Sequence, residues 1–336
     1  MHHSHLDLGT FVLELGGVRW AVDLGKDSYG LRKYNSHLAK SPRWNYLRPS
    51  NRGHNTVSLG AAEGDDGGGN KARERKAGRE WPRPGEGDVQ CLDVLAPITH
   101  FLSSADRGHA VVDLSNAYAW PYLRKKALKE GLAGENPRSI HRGAALWNGR
   151  SEVLLRDEIT VHGSTWKGKN GKNVLETGEY VFPVAWRMHT EAAVVVDAAS
   201  GGRVAVLSQR GQQLRLEIAA PTPAHARFTV RSALPDSLRG VDLSTLAHKE
   251  AKPDTEDPNF GVSVLTIELT MSSADKAAGA GQSCGDLGAT CAGQEPCQSL
   301  VIAVRATHGT LSKPIAAAAA AAALAQPLAQ WGGAVL

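Results

Sequence analysis

Apolar and polar residues alternate almost from the first positions of the chain. Residues 10–15 and 18–24 flank Gly16-Gly17, a two-residue turn signal that predicts a tight hairpin. Across such a turn Leu15 faces Val18, Leu13 faces Trp20 and Phe11 faces Val22, which makes one apolar face. Thr10, Val12, Glu14, Arg19, Ala21 and Asp23 fall on the other face. A sheet with one buried side requires that alternation. Further strand-like runs occur at 109–114, 152–159, 179–188, 192–196, 203–207, 214–219, 226–230, 262–269 and 300–304. Most are short and many are separated by turn residues, so the spacing predicts antiparallel β structure rather than βαβ units. A short helix near 121–130 is the main helical element expected.

Two segments interrupt the pattern. Residues 60–88 are rich in Gly, Lys, Arg and Glu, and residues 272–298 in Ala, Gly and Ser. Neither can bury enough apolar surface to offset its ordering entropy, so both are expected to be poorly ordered insertions between strands. Residues 311–336 contain an alanine run and read as a low-complexity tail. The expected organisation is one β-sheet domain over 1–310 with two insertions, then that tail.

Composition changes this picture little. The 336 residues and 42% hydrophobic content suffice for a sizeable core, which excludes a disordered protein. A net charge of +4 is weaker than the localised basic stripe of a general nucleic-acid binder, and it is compatible with an acidic polysaccharide partner. No run is long and apolar enough to span a bilayer, and the polar, histidine-rich start is not a signal peptide. The cysteines Cys91, Cys284, Cys291 and Cys297 contain no C-x-x-C pair, which argues against a zinc ribbon. A local disulfide is open to an exported protein.

Candidate chemistry begins at His3-Ser4-His5-Leu6-Asp7, directly before the hairpin. The hairpin returns Asp23 toward the loop that carries His5. Imidazole and carboxylate are good zinc ligands, and His54 in Arg52-Gly53-His54-Asn55-Thr56 is the best-placed third donor. Plainer explanations stand beside this one. A histidine-rich start is also what a solvated tail looks like, Asp23 is equally explained as the cap of a turn at Gly25, and His54 as a polar loop residue. An H-x-H pair also opens metal-dependent hydrolase barrels, but those need βα repeats. Between the hairpin and His54 lie Arg43, Trp44, Tyr46, Arg48 and Arg52. Arginine pairs with carboxylate or sulfate through two parallel bonds, and aromatic faces stack on sugars. A strand with a charged outer face explains the same residues. His189 and Trp186 share a strand-like run and read as packing residues.

The run His3-Ser4-His5-Leu6-Asp7-Leu8-Gly9-Thr10-Phe11-Val12-Leu13, then Val18-Arg19-Trp20-Ala21-Val22-Asp23-Leu24-Gly25, then Gly53-His54-Asn55-Thr56, resembles the heparinase II/III-like polysaccharide lyases. Members of that family read H-x-H-L-D-x-G-S-F-V, R-W-x-x-D-L-G and H-N-T in the same order, with serine where this chain has Thr10. Weaker likenesses lie at Arg142-Gly143-Ala144-Ala145-Leu146, Val153-Leu154-Leu155-Arg156-Asp157-Glu158 and Trp186-Arg187-Met188-His189-Thr190. The resemblance implies a large antiparallel β-sandwich that comes after an amino-terminal (α/α) toroid, absent from this sequence. It implies β-elimination of uronic-acid-containing polysaccharides, and an exported or periplasmic-type location. By the same resemblance His3 matches an active-site histidine, and His5, Asp23 and His54 match the ligands of a structural zinc. The toroid carries the family's catalytic tyrosine, so the chain alone is expected to be inactive until the toroid joins it, in cis or as a separate chain. A non-catalytic β module that binds glycans or docks on a toroid is the alternative.

Overall fold

Fourteen strands run through the described part of the chain. They are β1 (Leu13–Leu15), β2 (Val18–Ala21), β3 (Val57–Leu59), β4 (Ile98–Ser103), β5 (Gly108–Asp113), β6 (Arg138–Trp147) and β7 (Glu152–Val161), then β8 (Val181–Thr190), β9 (Ala193–Asp197), β10 (Val204–Gln209), β11 (Gln212–Ala220), β12 (Phe228–Ser232), β13 (Ser263–Ser272) and β14 (Gln298–His308). The computed structural model describes residues 3–36, 38, 41–59, 90–118, 138–147, 149–161, 181–220, 226–245, 254–272, 298–308 and 326–331. The helix expected near 121–130, and nearly all of the two insertions, lie outside those residues.

The fold is all-β. An eight-stranded sheet has the order β4-β5-β6-β7-β14-β11-β10-β9, and a four-stranded sheet has the order β12-β13-β8-β3. Every pairing is antiparallel. Alternation along each strand sends one set of side chains inward. Val153, Leu155 and Ile159 of β7, with Leu214, Leu216 and Ile218 of β11, meet Val184, Trp186 and Met188 of β8 and Leu265, Ile267 and Leu269 of β13 in one core. The two sheets therefore form a sandwich closed by an apolar layer, as the resemblance implied, with the antiparallel pairing that the alternation predicted.

The hairpin β1–β2 packs its Leu13, Leu15, Val18 and Trp20 into the same core. Gly16 (φ 63°) and Gly17 (φ 74°) both adopt left-handed backbone, which a tight two-residue turn demands and glycine supplies without strain. Leu15 pairs with Val18 as expected, but a bulge between Leu13 and Glu14 places Leu13 opposite Ala21 rather than Trp20. Trp20 is wholly buried and donates its indole N–H to the Leu15 carbonyl at 2.9 Å. A bulge adds one residue to one strand and re-aims the side chains beyond it, which simple alternation does not reveal.

Strands β3, β4 and β6 were not expected from the pattern. Gly143, Ala144 and Ala145 make the middle of β6 look like a loop, yet this strand pairs along its whole length with β7. The outer face of the large sheet holds a second cluster, in which Val111, Ala145, Leu154 and Ala303 are covered by Leu328 and Trp331. Residues 326–331 of the expected tail are thus packed against the sheet, and the Leu328 amide donates to Glu158 at 2.9 Å.

Candidate active site and metal centre

The H-N-T stretch, residues 54–56, joins three parts of the fold. His54 Nδ1 stands 2.7 Å from Asp23 Oδ2. The Asn55 side-chain amide donates to the carbonyls of Phe11 (2.7 Å) and Val22 (2.8 Å). Its oxygen accepts from the His189 amide (2.7 Å) and lies 3.1 Å from His189 Nδ1. Thr56 donates to the Leu8 carbonyl at 3.0 Å, and Gln90 brackets Leu8 with bonds to both its amide and its carbonyl. Beneath this, the buried Arg142 pairs with the buried Asp157 (2.6 Å) and donates to the carbonyls of Gly9 and Asn55. Asn55, Thr56, Gln90, Arg142 and Asp157 are all buried with partners in place, which offsets the desolvation cost of putting them there.

Asp23 caps the turn and pairs with His54. Its Oδ1 accepts from Gly25 N at 2.8 Å, capping the turn, while Oδ2 meets His54. Burial resists ionisation of Asp23, but the bond and charge of His54 and the Gly25 amide outweigh it, so the pKa is lowered. His5 lies with its ring 5.3 Å from that of His54 and its Nε2 3.3 Å from the Tyr34 hydroxyl. Burial first, then the charges of His54 and Arg43, pushes the His5 pKa down to about 4. At neutral pH His5 is therefore an unprotonated imidazole with a lone pair to give. Tyr34 accepts from the Asp27 amide at 2.8 Å, and burial raises its pKa, keeping it a phenol that can donate to His5. His3 is exposed, with Nδ1 3.3 Å from the Tyr29 hydroxyl and the two rings edge-on.

The structure brings His5, Asp23 and His54 into one cluster. With Nδ1 of His54 engaged by Asp23, its Nε2 is buried without a hydrogen-bond partner, an orphaned donor atom that suits a metal. The Asp23–His54 distance does not suit two ligands of one ion, which stand about 3.3 Å apart on a tetrahedral zinc with bonds of about 2.0–2.1 Å. Among the described residues no group of three or more His, Cys, Asp or Glu side chains is placed to hold a metal. As it stands, the triad is a hydrogen-bonded pair with a neutral imidazole beside it.

The residues of the expected substrate-binding cluster all make contacts within the chain, and two of them, Arg43 and Trp44, are buried. The Arg43 guanidinium donates to the carbonyls of Tyr34 and Ser4. Trp44 packs on Leu6 and donates to the Leu38 carbonyl. Arg48 is bonded to Asn259 and paired with Asp257 at 2.9 Å, and Arg52 with Asp236 at 2.7 Å. Tyr46 donates to the Arg32 carbonyl and stacks on Tyr34. Cations and aromatic rings that looked available to a polysaccharide are spent on the chain's own backbone and carboxylates. Sequence reasoning gave no positioning role to Tyr29 and Tyr34, which meet His3 and His5, or to Asn55 and Arg142, whose partners lie as far as 134 and 133 residues away.

The Heparinase II/III-like, C-terminal family profile matches residues 1–239. The chain belongs to the heparinase II/III-like family. A solved heparinase III structure matches over 92% of this chain and 31% of its own length, with 8% identity and a TM-score of 0.46. The chain thus spans about a third of that heparinase. No curated protein matches it in sequence. Within the matched residues, His3 and His5 lie before the hairpin and His54 lies after it, just before β3.

Proposed function

We propose that this chain is the β-sheet part of a lyase that cleaves uronic-acid-containing polysaccharides by β-elimination. The observation that carries this reading is the placement of His3. It is exposed, and it is carried on a loop held from beneath by buried side chains of the heparinase II/III-like sandwich. Elimination removes the proton beside a uronate carboxylate, so three functions must meet: an offset for the carboxylate charge, a base, and an acid for the leaving oxygen. His3 with the Tyr29 hydroxyl beside it can hold and pass a proton at Nδ1. The remaining functions are assigned to a helical (α/α) toroid, in cis or as a separate chain. Zinc at His5, Asp23 and His54 is proposed on the family resemblance: the neutral His5 imidazole and the orphaned His54 Nε2 support it, while the 2.7 Å Asp23–His54 bond would have to open before Asp23 could bind the ion. Bound there, zinc would supply rigidity to the loop carrying His3 rather than chemistry. A glycan-binding module built on the Arg43–Arg52 cluster is disfavoured, because those side chains are engaged within the chain.

The test is an assay on uronic-acid polymers that follows the ultraviolet absorbance of the unsaturated product. The 336-residue chain alone should give little turnover, and adding the toroid should raise it strongly in wild type but not in His3→Ala. A complete enzyme unaffected by His3→Ala would sink the assignment. Robust, His3-dependent turnover by the chain alone would instead show that groups such as Tyr29 complete the site without a toroid.

A further inference from the structure

Past the hairpin, residues 26–36 form a wound platform beside His3. The amide of Leu31 donates to the Ser28 carbonyl and that of Tyr34 to the Leu31 carbonyl, which makes consecutive turns. These turns send Asp27, Leu31 and Tyr34 inward, at 2%, 4% and 2% exposure. Asp27 accepts from the backbone amides of Ser28 and Asp257, and the Tyr34 hydroxyl accepts from the Asp27 amide. Lys26, Tyr29, Arg32 and Lys33 are left on the outside. Tyr29 is 47% exposed; its hydroxyl lies 3.3 Å from His3 Nδ1, and the Lys26 ammonium stands 5.1 Å from the centre of its ring.

Exposed lysines are ordinary on any surface; the sign and the surroundings of these cations are not. The exposed charges of the segment, Lys26, Arg32 and Lys33, are all positive, and its one carboxylate, Asp27, is buried. Arg48 and Arg52 are paired with Asp257 and Asp236, whereas none of these three cations is ion-paired among the described residues. Lys33 also holds left-handed backbone (φ 59°), which asparagine or glycine would adopt more easily. A patch of one sign draws anions toward it, and a half-exposed tyrosine adds apolar ring surface with a polar tip. We propose that Lys26, Arg32 and Lys33, on the segment that carries Tyr29, form a subsite that binds the carboxylates of the uronate sugars flanking the one cleaved at His3. This rests on the lyase reading above.

The test uses the full chain with hexasaccharides of alginate and hyaluronan, which carry carboxylates, and cellohexaose as the neutral chain. Binding is measured by titration calorimetry at low and at high salt. One variant combines Lys26→Gln, Arg32→Gln and Lys33→Gln. The control removes the same charge elsewhere through Arg107→Gln, Arg210→Gln and Arg227→Gln, in the β4–β5 turn, the β10–β11 turn and just before β12. All six positions are exposed, and circular dichroism checks both folds. An acidic hexasaccharide should bind wild type more tightly than cellohexaose does. Each exposed ion pair contributes about 2–5-fold, so the Lys26 variant should bind about tenfold more weakly at low salt, the difference should shrink at high salt, and the control should match wild type. The proposal is overturned by wild-type affinity in the Lys26 variant, by equal weakening in the control, by cellohexaose binding as tightly as the acids, or by a wild-type chain that binds neither acid. Equal affinity for a thymidine oligonucleotide would overturn it too, by showing a general polyanion surface. None of these measurements uses turnover. Normal His3-dependent turnover with unchanged binding in the Lys26 variant removes the subsite alone, whereas the expected binding without His3-dependent turnover in the complete enzyme removes the lyase reading and leaves a glycan-binding surface.

Discussion

Asn55 occupies the point where the hairpin base, the end of β8 and the His54 loop meet, and its amide serves all three. His189 depends on it. With its Nδ1 proton given to the Asn55 oxygen, His189 is a buried neutral imidazole, and burial, then the charges of His54 and Arg187, pushes its pKa down to about 3. The unfolded chain returns this group to about 6.5. Because the folded pKa is the lower, the stability tied to a neutral His189 is complete above pH 6.5 and is lost as pH falls toward 3. For the metal-free protein the urea midpoint should therefore drop between pH 7.5 and 4.5, with His189 contributing on the order of 2 kcal/mol. His189→Gln keeps a donor for Asn55 and cannot charge, so its midpoint should fall less over that range. Equal slopes in the two proteins would contradict the argument. The approach of Asp23 to the His5 loop was legible in the sequence because a two-residue turn fixes where the hairpin returns, whereas His54 was picked out by its Gly53-His54-Asn55-Thr56 stretch and the family resemblance. Arg43 was misread because sequence does not say whether a cation's partner will be solvent, a ligand or a distant carbonyl.

Elements were legible where they alternate and hidden where they do not. The turn at Gly16-Gly17 and the runs that became β5 and β7 to β14 carry the β signature in their own residues. Strand β6 does not, because Gly143 and the alanines beside it give no large side chain to the pattern. The structure supplies the reason. A methyl group on Gly143 would overlap Leu328 Cδ2 and stand 2.8 Å from Trp331 Cζ3, so the missing side chain makes room for residues 326–331. That segment covers Val111, Ala145, Leu154 and Ala303. Gly143→Val should displace it. Loss of the buried Leu328 and Trp331 contacts should cost about 2–4 kcal/mol in chemical unfolding. Limited proteolysis should then cut near the carboxyl terminus of the folded variant before it cuts wild type. If cleavage and stability match wild type, the segment does not depend on the space that glycine leaves.

At the scale of the whole molecule the site is an extension of the sandwich rather than a loop laid over it. Arg142 on β6 and Asp157 on β7 form a pair that is 4% and 0% exposed, deep in the large sheet. The same guanidinium reaches the Gly9 carbonyl at the hairpin entry and the Asn55 carbonyl beside His54. One buried charge thus links the sheet to the two segments on which His5 and His54 are carried. A pair of this kind is weak evidence for net stability, because desolvation offsets most of the attraction. Removing one member is another matter, since the other is left charged in a dry interior. Arg142→Met should cost about 3–5 kcal/mol and should also free the Gly9 and Asn55 carbonyls, loosening the His5 and His54 loops together. Asp157→Asn leaves the arginine its two carbonyl partners and should cost less. The measurement is chemical unfolding of both variants, with amide hydrogen exchange at residues 5–10 and 53–56 compared at equal stability. Faster exchange in both segments of Arg142→Met, and little change in Asp157→Asn, would place the link in the carbonyl bonds. Faster exchange in both variants alike would place it in the ion pair, and unchanged exchange in Arg142→Met would mean that the sandwich and the site are held independently.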